Sequence, residues 1–339
     1  MPGKSKAIRI LVDEQKHAQV KALAERQRYP TLAAYVSHLI ERDLQAQPEG
    51  TPAARPVVKQ LVADADPKPI RSLSGITNFL LAIDVGNTNV HFGLWHGAQD
   101  TEPGEWVITW RARTVPEKMP DEYAVLLSNF LESADLTFAT ISGVAIGSVV
   151  PRLTTTFVEL VERYIHVEPL VVTHETKTGV RIDIDQPAQA GADRIINSAA
   201  VVALYGAPAI VIDFGTATTF DIVSPDGAYR GGAIAPGINI SQDALVNATA
   251  RLHKVDLLPP PCVIGTNTIH AMQSGIFLGY VAMIEGMVKR FKVAMHDEHV
   301  KVIATGGLAV LFNESTDAID LIAPELTLEG LRVIYQMNR

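Results

Sequence analysis

Two aspartates, each ending an apolar run and each followed after one residue by glycine, are the residues of this chain best suited to chemistry. Residues 80–95 read LLAIDVGNTNVHFGLW and residues 210–223 read IVIDFGTATTFDIV. In both, Asp-x-Gly leads into small hydroxyl or amide residues and then a second apolar run. Glycine lets a backbone approach an anion, and Asn and Thr side chains donate hydrogen bonds to it. The carboxylate at the strand end supplies oxygen for a hard cation. Two such strand-turn-strand units facing each other would make a cleft for ATP, which points to phosphoryl transfer. Asp84 would hold a hydrated divalent cation on the phosphates, and Gly86, Asn87, Thr88 and Asn89 would donate to them. A lone acid at a strand end is about as often a turn former. The repeat is what favours function for Asp84 and Asp213.

The segment GADRIINSAA, residues 191–200, places Asp193 and Arg194 at the start of an amphipathic helix. Acids favour the first helical turn on electrostatic grounds alone. The arginine is less expected there, because a cation opposes the positive end of the helix dipole. A carboxylate ligand would offset it through a forked ion pair, and Asp193 beside it could accept the proton of a substrate hydroxyl. GGAIAPGI at 231–238 and ATGGLA at 304–309 read equally well as tight turns or as backbone approaching a nucleotide.

Around these residues, 339 positions with 47% hydrophobic and 19% charged side chains make a globular chain of two or three domains. A net charge of −8 argues against nonspecific nucleic-acid binding by the whole chain. The single cysteine, Cys262, excludes an internal disulfide and fits a reducing compartment. No apolar run approaches the ~20 residues of a membrane span, and no signal-peptide core is evident. The expectation is a cytoplasmic protein with no membrane partner.

Residues 1–45 read as a strand (6–12), a helix opened by Asp13, a break at Tyr29-Pro30 and a helix opened by Thr31. Residues 46–76, with Pro48, Pro52, Pro56, Pro67 and Pro69, read as an extended linker. From residue 77 onward strands and helices alternate. Strands are expected at 79–84, 89–95, 105–111, 143–147, 169–172, 209–213, 218–223, 228–234 and 301–305. Helices are expected at 121–133, 151–164, 190–204, 239–248, 266–293, 306–313 and 327–336. Hairpins followed by βα units, present twice, predict an α/β chain of two lobes, about 77–188 and 189–339. A dinucleotide fold is excluded, since no Gly-x-Gly-x-x-Gly opens a helix after the first strand, and no Walker lysine follows either glycine loop.

In order along the chain, DVGNTN (84–89), WRART (110–114), DEY (121–123), SVVP (148–151), GADR (191–194), DFGTATT (213–219), GGAIAPG (231–237), IGTNT (264–268), QSGIF (273–277), ATGG (304–307) and LTLEGL (326–331) resemble the type III pantothenate kinases. These belong to the acetate and sugar kinase, Hsp70 and actin superfamily. The resemblance covers the chain from about Phe79 to its end. It implies a duplicated ribonuclease-H-like (actin-like ATPase) two-lobe kinase fold and the reaction of ATP with pantothenate to give 4′-phosphopantothenate. It implies Asp193 as general base, with Arg194 and the backbone at Gly191 and Ala192 holding pantothenate, and Thr268 touching it. Asp84, Val85, Gly86, Asn87, Thr88, Asn89, Val90, His91 and Thr216 would bind ATP. Asp84 would hold Mg2+ through water, and Asp213 would ligate K+ or NH4+. It also implies a homodimer that completes the substrate pocket.

The chain departs from the pattern at three positions. Ile184 stands where the family has a tyrosine before Asp-x-Pro, which puts one substrate contact in doubt. His253 replaces a proline, and His91 replaces an apolar or hydroxyl residue. Residues 1–45 resemble a ribbon-helix-helix module, with eight Lys/Arg against five Asp/Glu. Arg9 is its one good base reader, and a dimerisation module without DNA contact is the competing reading. Two alternatives to the kinase remain: a DNA-binding regulator with a ligand-sensing kinase-like body, and a kinase for a pantothenate-like acceptor.

Overall fold

The computed structural model describes residues 73, 75–97 and 104–339. The ribbon-helix-helix-like module at 1–45, Arg9 within it, and nearly all of the linker at 46–76 lie outside the described residues. From Ile70 onward the chain forms one unit, and it is built from one sheet pattern used twice.

The first sheet contains β1 (Phe79–Val85), β2 (Asn89–His96), β3 (Glu105–Arg113), β4 (Ile141–Ser148) and β5 (Leu170–Val171), in the order β3-β2-β1-β4-β5. The second contains β6 (Ala209–Phe214), β7 (Ala217–Val223), β8 (Tyr229–Pro236), β9 (Lys301–Thr305) and β10 (Leu321–Ile322), in the order β8-β7-β6-β9-β10. In each, three strands form antiparallel hairpins and two more join in parallel beside the first strand. β1 and β6 are therefore equivalent central strands, and Asp84 and Asp213 occupy the next-to-last position of each. The nine strands expected from sequence are all present. β10 was not expected, because two residues are too few to show an alternating pattern.

Helices α1 (Pro120–Glu132) and α2 (Pro151–Leu160, extended by a wide turn at Val161–Ile165) follow β3 and β4. Helix α3 (Ala192–Leu204) precedes the second sheet. Helix α4 (Ile238–Asn247) follows β8. Then come α5 (Thr268–Gln273), a wide turn at Ser274–Leu278 and α6 (Gly279–Met295). Helix α7 (Ala309–Asn313) follows β9, and α8 (Leu326–Met337) ends the chain. The expected helix at 306–313 starts at Ala309 instead, since Gly306 lies in the left-handed region at φ 88°. The run Thr268–Met295 is long and apolar enough, with mean hydropathy 1.3, to pass for a membrane span by composition. Its side chains Phe277, Tyr280, Ile284 and Val288 are instead buried in the core of the second lobe.

Strand parity decides which way the two aspartates point. In β1, Phe79, Leu81, Ile83 and Val85 face the cluster with Leu127, Leu131 and Phe157 of α1 and α2. Leu80 and Ala82 face the opposite way, onto Ile196 and Ala199 of α3 and Leu328, Leu331 and Ile334 of α8. In β6, Ile210, Ile212 and Phe214 face α6 and α7, whereas Ala209 and Val211 face Ala200 and Val201 of α3. Side chains alternate with a period of two, so Asp84 and Asp213 both project toward α3. That helix, sandwiched between the sheets, presents Asp193 in its first turn.

Helices α3 and α8 cross at Gly330, where a β-carbon would lie 2.2 Å from the Ile196 carbonyl oxygen. The contact is backbone against backbone and has no flexible side chain to yield. Gly330→Ala should therefore separate α3 from α8 and destabilise the lobes by about 1–3 kcal/mol. Thermal unfolding of the variant checks this, and an unchanged midpoint would show that the helices shift apart without cost.

Candidate active site

The turn between β1 and β2 is tied down by its own backbone. Gly86 N–H donates to the Asn89 carbonyl (3.0 Å), and a β-carbon on Gly86 would come within 3.1 Å of that oxygen. The Thr114 hydroxyl donates to the Gly86 carbonyl at 2.6 Å, and Thr114 N–H donates to the Thr88 carbonyl at 2.9 Å. The matching turn between β6 and β7 closes with Gly215 N–H on the Ala217 carbonyl (3.0 Å). Gly237 packs against it so closely that a β-carbon would sit 2.2 Å from the Thr216 oxygen. The two turns meet: the Thr88 and Thr216 hydroxyl oxygens are 2.6 Å apart.

Asn87, Thr88, Asn89 and Thr216 are exposed at this junction. Val85 and Val90 are fully buried beneath it, so only their backbone can meet a ligand. His91 is buried as well, with Nε2 3.2 Å from Glu325 Oε2 but out of line for a hydrogen bond. Burial, and then the charge of Arg111, pull the His91 pKa down to about 4, so its imidazole is neutral at physiological pH.

The carboxylates form a coupled set. Burial pushes Asp84 up to about 8, and the charges of Asp213 and Asp193 push the same way against a pull from Arg111. Burial pushes Asp213 up to about 7, with Asp193 and Asp221 adding to it. Asn197 Nδ2 donates weakly to Asp213 (3.4 Å), and its Oδ1 accepts from the Thr327 hydroxyl (2.9 Å). Gly306 lies against Asp213, where a β-carbon would be 2.6 Å from Oδ1. Burial also raises Asp193, while its Oδ1 accepts the Arg194 backbone N–H at 2.9 Å. Gly191 is the N-cap of α3, and a β-carbon there would be 2.5 Å from Asp193 Oδ1.

Arg194 has a partner that its sequence position did not reveal. Its Nε lies 3.7 Å from Oδ1 of the wholly buried Asp221. Asp221 also accepts from the Tyr229 hydroxyl (3.1 Å) and the Thr219 hydroxyl (2.8 Å), and burial raises it to about 6. Tyr229 is pushed up to about 12 by burial and by Asp221. The cation at the helix start is thus offset within the protein, and Arg194 keeps further N–H groups for a ligand. Asp221 had one sequence signal, an acid inside the apolar strand TTFDIV. Asn197 had another, since it lies four residues after Asp193 on the same helical face. Tyr229 had none, and Arg111 had only its place in the segment WRART (110–114).

Ile184 is partly buried in the cluster that holds Tyr229. Ala192 packs in that cluster too. Thr268, exposed at the start of α5, belongs to a separate hollow of about 600 Å³ lined by Leu245, Leu252, Asn267 and Met272. Among the described residues no three His, Cys, Asp or Glu side chains converge to hold a metal by themselves. The donor set still fits hard cations: buried carboxylate oxygens whose mutual repulsion a cation relieves.

Duplicated sheets, paired glycine turns and buried acids facing a helix start define a two-lobe α/β kinase fold. Comparison with known proteins narrows this. The family model described as type III pantothenate kinase matches residues 80–290. A type III pantothenate kinase of Roseiflexus sp. (strain RS-1) is 50% identical over 260 residues, covering 77% of this chain and 99% of its own. That of Dehalococcoides mccartyi (strain CBDB1) is 44% identical over 263 residues, covering 78% and 97%. An inorganic polyphosphate/ATP-glucomannokinase structure from Arthrobacter sp. strain KM aligns at TM-score 0.42 and 15% identity, over 78% of this chain and all of that one. The chain belongs to the type III pantothenate kinase family.

The raised pKa of Asp84 makes a stability prediction with a definite sign. A carboxyl raised from its ordinary value near 4 to about 8 gives stability that is present below pH 4 and lost as pH rises to 8. Asp84→Asn stays neutral, so without nucleotide or divalent cation it should melt higher than the parent at pH 8. The expected gain is on the order of 2 kcal/mol, or several degrees, shrinking toward zero near pH 4. Calorimetry at the two pH values checks it, and an offset independent of pH would contradict it.

Proposed function

We propose that the cleft transfers the γ-phosphoryl group of ATP to the hydroxyl of pantothenate, giving 4′-phosphopantothenate for coenzyme A synthesis. The observation that carries this reading is the position of Asp193. It is a half-buried acid at the N-terminus of α3, its charge felt by Asp84 on one sheet and Asp213 on the other, with a cation at its side. Burial raises its basicity, which suits a group that takes a proton from an alcohol as the phosphorus is attacked. Arg194, held in place by Asp221 and Tyr229, and the free backbone N–H groups at Gly191 and Ala192 hold the pantothenate carboxylate and amide.

The paired turns cradle the phosphates through Gly86, Asn87, Thr88, Asn89 and Thr216. Asp84 holds Mg2+ through water and Asp213 holds K+ or NH4+. Bound cations supply neutralisation of the phosphoryl charge, which is most of what this reaction asks of a protein. In the same reading the enzyme is a cytoplasmic homodimer, and Thr268 reaches the pocket completed between two copies. Ile184, beside Tyr229, tunes the fit of the acceptor. Residues 1–45 serve pairing of chains, with DNA contact through Arg9 as the competing role; absence of a gel shift by the full chain at low salt would exclude the latter.

The test is ADP release from ATP and pantothenate with magnesium, in potassium against sodium, for the parent and for Asp193→Asn. The reading expects potassium-dependent turnover that falls by roughly 10²–10⁴ in the variant. Turnover of the variant within threefold of the parent would remove Asp193 from the role of base. A folded parent that binds ATP but leaves pantothenate untouched would move the acceptor to an analogue.

A further inference from the structure

The cleft contains a second arginine, Arg111 of β3, which none of the contacts described so far employs. Strand register places it. Arg111 stands opposite His91, and His91 stands opposite Asp84. Directly opposed residues of an antiparallel pair project to the same face, so the three form one row across the face that looks toward α3. On the far side of Asp84 the row continues to Gly147, which has no side chain.

The guanidinium reaches across to the second lobe. Its Nη1 is 3.9 Å from where a β-carbon on Gly307 would lie. Gly307 follows Gly306, the residue packed against Asp213. Arg111 thus spans from the strand of Asp84 to the turn that buttresses Asp213.

Two further observations separate Arg111 from an ordinary surface arginine. It is exposed, and among the described residues it makes no hydrogen bond or ion pair. Acids surround it without closing on it: Asp84 and Glu325 both feel its charge. Arg194, the other cation of the cleft, already has Asp221. The duplicated sheet also lacks an equivalent. There the matching row runs Ile234, Thr219, Asp213 and Thr305, and its outer end is the 66% exposed Ile234. A fork of five donors left open over a nest of carboxylates is a waiting anion site.

We propose that Arg111 is the side chain that grips the terminal phosphates of ATP from the first lobe. This inference rests on the reading of the cleft as an ATP site. It assigns a phosphate-binding role to a residue outside both glycine turns. It also accounts for how a cleft rich in carboxylates accepts a polyanion: the fork bonds to phosphate oxygens in two places, as Arg does with planar or tetrahedral oxyanions.

The experiment uses the full chain and the variants Arg111→Gln and Arg111→Lys. Binding of a non-hydrolysable ATP analogue with magnesium is measured beside binding of adenosine, and steady-state kinetics with pantothenate are run in parallel. Arg111→Gln should weaken the analogue at least tenfold, leave adenosine binding within twofold, and leave the KM for pantothenate unchanged. Arg111→Lys should recover part of the loss, and it serves alone if the glutamine variant does not fold, showing analogue binding severalfold weaker than the parent. Analogue binding within twofold of the parent in both variants overturns the inference, and leaves the kinase reading intact if the parent turns over pantothenate. A selective loss of analogue binding in a parent that ignores pantothenate supports Arg111 while moving the acceptor. A parent that binds no nucleotide overturns both.

Discussion

Two half-buried carboxylates held at matched positions of two matched sheets are the constraint on which this structure turns. Asp84 and Asp213 end equivalent central strands and project into the same gap, where burial first, and then neighbouring acids, raise the cost of ionising each. Burying like charges together is unfavourable unless something of opposite charge joins them. Arg194 is already engaged by Asp221, which leaves Arg111 as the cation that lowers Asp84. Under the proposed function, cations bound with the nucleotide would offset that cost.

The rest of the fold serves to hold that arrangement. Helix α3 lies between the sheets with Asp193 at one end, and α8 fixes it from the far side through the Gly330 crossing. Glu329 of α8 accepts from the Trp106 indole N–H (2.8 Å) and from Arg332 Nε (2.8 Å). The last helix is thereby bound to the first sheet, although the chain passes through the whole second lobe before reaching it. The same geometry explains the glycines. Gly86, Gly237 and Gly306 each sit where a β-carbon would strike backbone or the Asp213 carboxylate, so the turns are shaped by absence of side chains as much as by hydrogen bonds.

Much of this was legible in the sequence because it depends on local rules. The Asp-x-Gly turns show as repeated text, and the strand limits follow from apolar runs that stop at an acid or a glycine. Parity along FLLAIDV alone puts Asp84 on the opposite face from Val85, which is why Val85 and Val90 lie beneath the loop and not in the cleft. What sequence left hidden depends on non-local register. Arg111 meets the row of Asp84 only through the pairing of β2 with β3, and Tyr229 reaches Asp221 only through the bulged pairing of β7 with β8. The pairing of Arg194 with Asp221 shows the limit most clearly. The need for a carboxylate was readable from the helix dipole, but a protein carboxylate and a ligand carboxylate meet that need equally well.

The most direct test is a carbon-13 NMR titration of the aspartate carboxyls in the free protein, with Asp84→Asn and Asp213→Asn used for assignment. The account predicts that Asp84 and Asp213 titrate far above the ordinary carboxylate range, near the values of about 8 and about 7 given by their surroundings. Both should fall when magnesium, potassium and a non-hydrolysable ATP analogue are added. Ordinary titration of both near pH 4 in the free protein, unmoved by the cations, would contradict it.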